Sequence, residues 1–124
     1  MMENEINLLD QTERSAFKKH LLDEVTSIIV FLEKIAQKKS GDYLSAIDTV
    51  KSNLNQFSTN LKRFIEPRDK SRVAEFYRLS GDIIEQYKER FELVEAGFDF
   101  PISDEYLPLS KELVKLSVEI TLCR

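Results

Sequence analysis

The chain has 124 residues, 42% of them hydrophobic and 32% charged, with three glycines and three prolines. That composition suits one folded helical domain spanning 1–124 and argues against disorder. Its 18 basic and 22 acidic residues are interspersed to a net charge of −4, so no long-range field gathers polyanions and general nucleic-acid binding is disfavoured.

The chain opens Met-Met-Glu-Asn-Glu, acidic where a secretory leader is basic. Its longest apolar run, Ile28 to Leu32, is far short of the roughly 20 residues that cross a bilayer. The single cysteine, Cys123, has no intrachain disulfide partner, which fits a reducing compartment. The expectation is a cytoplasmic protein without membrane contact.

Residues 1–11 could extend the first helix through Ile6, Leu8 and Leu9 or form a loose arm. Over 12–39, Phe17, Leu21, Val25, Ile28, Leu32 and Ile35 recur at steps of three and four, the mark of one helical stripe. Lys38 and Lys39 suit the negative end of that helix, and Gly41 supplies a stop. From Asp42, a suitable N-cap, Ile47, Val50, Leu54, Phe57, Leu61 and Phe64 repeat without a break. Pro67 places a short link near 66–69. A third helix runs from about Lys70 to Ala96 through Val73, Phe76, Ser80, Ile83, Tyr87, Phe91 and Val94, before Gly97. Pro101 interrupts the pattern, and the last helix begins either with a separate first turn after Ser103 or at Pro108. Long helices on short links predict an all-α fold, an antiparallel up-down-up-down four-helix bundle.

No catalytic residue, metal ligand set or cofactor motif stands out. His20, the only histidine, would suit a histidine phosphotransfer protein, which uses one exposed helical histidine. However, Asp23 and Glu24 follow it, where they would repel a phosphate, so a boundary histidine is favoured. Arg14 and His20 match the arginine-histidine spacing of some helical ribonucleases, yet no basic groove surrounds them. The inward stripes hold neither the glutamates nor the Glu-x-x-His pair of a di-metal bundle. Cys123 is penultimate, with no arrangement suggesting a nucleophile.

The surfaces left over say more. Lys62, Arg63, Arg68, Lys70 and Arg72 gather around the second link, diluted by Glu66 and Asp69. A solvated bundle end is favoured there over an anion, acidic-partner or nucleic-acid contact. The outward positions of helix two between Lys51 and Lys62 are uncharged, and read either as an adaptable contact surface or as drift. The aromatic and acidic stretch from Phe98 to Tyr106 reads either as a binding loop or as a cap on the core, and the cap is favoured. In the last helix Leu109, Leu113, Leu116, Ile120 and Cys123 form one stripe, while Val114, Val118 and Leu122 fall on nearly the opposite face. Val30, Leu79 and Leu93 widen the apolar flanks of the first and third helices. Such surplus argues for a non-enzymatic interaction module that meets a protein partner or a second copy of itself, as a homodimer.

Overall fold

Four helices form in the computed structural model, which describes residues 11–37, 42–97 and 106–122. They are α1 (Gln11–Ala36), α2 (Asp42–Arg63), α3 (Lys70–Glu95) and α4 (Leu107–Leu122). The apolar spacing does what the periodicity requires: Leu21, Val25, Ile28 and Leu32 of α1, and Ile47, Val50, Leu54, Phe57 and Leu61 of α2, are buried, as is Phe64 just past its end. Asp69 caps α3 by accepting a hydrogen bond from the Ser71 backbone. Gly97 takes a φ of 101° just past the end of α3, a conformation costly for a residue with a Cβ. Pro108 sits in the first turn of α4, where its missing N–H breaks no helical bond. The expectations about residues 1–10, Lys38, Lys39, Gly41, 98–105 and Cys123 lie outside the described residues.

Helix directions alternate as expected, and the structure is an all-α four-helix bundle. The neighbours are less simple than short links suggest. The packed pairs are α1 with α2, α1 with α3, α3 with α4, and α2 with α4, so α2 and α3, joined by the short link 64–69, stand across the diagonal. Two sides of the bundle are therefore parallel. On one, Phe17 stacks on Tyr77 and Phe31 on Phe91, with ring centroids 5.6 and 4.1 Å apart. On the other, Asn53 faces Ser110 and Asn60 faces Ser117. Neighbouring axes lie about 10 Å apart, so the diagonal is about 14 Å, well within reach of six linking residues. Phe64 and Pro67 are buried beneath that crossing.

The structure corrects the expected inner face of the last helix. The buried line is Tyr106, Ser110, Leu113, Ser117 and Ile120, with Leu109 and Leu116 only half-buried at its edge. Serine can hold these positions because each hydroxyl both donates and accepts a hydrogen bond. Ser110 Oγ donates to the Leu107 carbonyl and accepts from Asn53 Nδ2 at 3.1 Å. Ser117 Oγ donates to the Val114 carbonyl and accepts from Asn60 Nδ2 at 2.9 Å. The uncharged stretch of α2 is thus neither an open contact surface nor drift throughout, since Asn53 and Asn60 belong to the α2–α4 contact. Helix α3 buries a wider arc than its single stripe, adding Ala74, Tyr77 and Ile84, because it packs on both α1 and α4.

Gly81 lies inside α3, where a Cβ would meet only the Phe17 ring at 3.7 Å, ordinary van der Waals contact. Gly81→Ala is expected to stabilise the fold by about 0.5–1 kcal/mol through helix propensity. A chemical denaturation midpoint that falls in this variant would show the α1–α3 contact to be tighter than described.

Candidate functional site

Three places hold the residues singled out by sequence, and the structure does not bring them together into one cleft. The first is the outer face of α4. Val118 is 43% exposed and Leu122 is 78% exposed, while Val114 is half-buried. The second stripe of this helix is therefore two open aliphatic residues beside a third that is half-buried. Val30 and Leu93 are exposed on α1 and α3, and Leu79 is half-buried. Leu79 lines a shallow apolar groove between α3 and α4 with Phe76, Leu116 and Ile120.

The second place is the end of the bundle where α2 crosses to α3. Lys62, Arg63 and Arg68 are exposed there. Lys70 pairs with Glu66 at 3.6 Å and Arg72 with Asp69 at 3.6 Å. Glu66 is also held by Arg14, whose Nε stands 2.7 Å from its carboxylate. Lys18 lies over the Phe64 ring, 5.3 Å from its centroid, a cation–π contact. Asp69 receives the Ser71 hydroxyl and backbone N–H, which hold its carboxyl below the usual range. Sequence reasoning missed the exposure of Ile65, which is 70% open in this link. It follows from the neighbours: Phe64 and Pro67 take the inward positions, so Ile65 is left facing water.

The third place is His20, exposed on α1 and edge-on to the Phe17 ring, with centroids 6.4 Å apart. Asp23 is exposed a turn further on, and Glu24 is paired to Lys88 at 3.3 Å. Arg14 is buried and committed to Glu66, so the arginine-histidine spacing does not assemble a joint site with His20. Among the described residues no group of three His, Cys, Asp or Glu side chains is placed to hold a metal ion, and no helix is long and apolar enough to cross a membrane.

Comparison of the chain with protein-family models, with curated proteins and with solved structures returns no match.

Tyr77 reports on the ion pair at the bundle end. Burial first, and then the Glu66 carboxylate, push its phenol from the ordinary 10.0 up to about 12, with Arg14 opposing. Tyr87, whose hydroxyl donates to the Tyr106 carbonyl, is raised more strongly by burial. A raised phenol keeps its proton in the folded state after the unfolded chain has lost its own. The stabilising difference is complete below pH 10 and is lost as pH climbs towards 12. Thermal midpoints are expected to fall across that window, with a shallower fall in Tyr77→Phe. Parallel profiles for the two proteins would remove Tyr77 from this account.

Proposed function

We propose that this protein is a non-enzymatic interaction module, a small regulator, adaptor, chaperone or inhibitor that works by presenting a helical face to a protein partner. The observation that carries the reading is the pair Val118 and Leu122, open on α4 while the buried line of that helix packs on two neighbours. Isolated surface aliphatics are common on monomers, but Val118 and Leu122 stand one turn apart on the same helix, and adjacent open aliphatics favour a contact. The form of contact tested first is a second copy of the chain, giving a homodimer by a two-fold contact of one helical face with itself.

Charged substitutions at exposed positions leave the core intact, so Val118→Glu combined with Leu122→Glu should keep full helicity by circular dichroism. The parent protein is expected to sediment at twice the chain mass and the double variant at the monomer mass. Equal masses for the two would refute α4 as the self-association face.

A further inference from the structure

We propose that the end of the bundle crossed by the α2–α3 link is a docking surface for an acidic protein segment carrying an apolar anchor residue. This rests on the reading of the molecule as an interaction module, and it names the chemistry of what is bound. Three cations are unspent there: among the described residues no carboxylate pairs with Lys62, Arg63 or Arg68. The acids of the link are already engaged, Glu66 by Arg14 and Lys70, and Asp69 by the start of α3 and by Arg72. Across residues 62–72 the cations outnumber the acids, on a chain whose net charge is −4.

Lys62 and Arg63 also complement the negative end of α2. Arg68 has no such role, because it stands in the link, outside any helix. Ile65 is fixed among these cations by the buried residues Phe64 and Pro67. The α2–α4 register that sets Asn60 beside Ser117 brings Leu122, also open, to the same end. An apolar contact ringed by cations matches a segment in which carboxylates flank one aliphatic or aromatic side chain. A nucleic acid would use the cations and leave Ile65 unpaired. A membrane would need far more apolar area than one or two side chains expose.

The test titrates labelled peptides of roughly ten residues, rich in Asp and Glu around one central leucine, into the full chain. Controls are the same peptide with serine for leucine, phosphatidylserine vesicles and a DNA duplex. Arg63→Glu with Arg68→Glu, and separately Ile65→Ser, are expected to weaken the leucine peptide by about tenfold or more, with binding that falls as salt rises. The serine peptide should bind several-fold more weakly to the parent protein. No binding of the leucine peptide, equal affinity for both peptides, or retention by vesicles or duplex in preference to peptide would overturn the proposal. Loss of peptide binding in Val118→Glu/Leu122→Glu, with full binding in the Arg63/Arg68 variant, would overturn it too while leaving the interaction module standing.

Discussion

Two serines of α4 accept hydrogen bonds from two asparagines of α2, and the arrangement of the bundle follows from that contact. Ser110 and Ser117 are seven residues apart, as are Asn53 and Asn60, so the two bonds repeat at the same depth on parallel helices. Each bond contributes only about 1 kcal/mol net, while leaving either partner buried and unpaired costs about 1–3 kcal/mol. The ladder therefore selects one register more than it stabilises the fold. Burial of Leu113, between the two serines and fully enclosed, contributes about 2 kcal/mol by itself. Once α2 is committed to α4 as well as to α1, α3 has no side of α2 left, and the link must cross the diagonal.

That crossing is what shapes the surface. A link running beside one helix edge could hide its side chains against the neighbouring helix. This one lies over the open end of the core, closed by Phe64 and Pro67 and pinned to α1 by the Arg14–Glu66 pair at 2.7 Å. The residues between and beyond those anchors face outward, which is how Ile65 and Arg68 come to be exposed together. The ion pair is partly shielded, its side chains 11% and 27% exposed, so it resists screening better than the surface pairs around Arg78. The same shielding is felt by the phenol of Tyr77.

How much of this was legible in the sequence depends on which side chains carry the packing. Helix α2 reads correctly along its stripe, because Ile47, Val50, Leu54, Phe57 and Leu61, with Phe64 just past its end, are all apolar and all buried. Helix α4 does not, because a stripe built on apolar residues passes over Ser110 and Ser117 and leans instead on Leu109 and Leu116, which are half-buried. A hydroxyl satisfied from both sides is as acceptable in a core as a methyl group, and only the matching asparagines at the same spacing on α2 hinted at it. The surplus on α4 shrinks accordingly, with Val114 half-buried and Val118 and Leu122 remaining open. Exposure of Ile65 was beyond periodicity, since no helical or strand pattern governs a link.

The central claim, that the asparagine–serine ladder joins α2 to α4, is tested most directly by a double-mutant cycle on Asn60→Ala and Ser117→Ala, read by chemical denaturation. The two single changes should be non-additive by about 1 kcal/mol, the coupling of a shared hydrogen bond. Strict additivity would mean that Asn60 and Ser117 do not meet, and that α2 and α4 are neighbours in some other register or not at all.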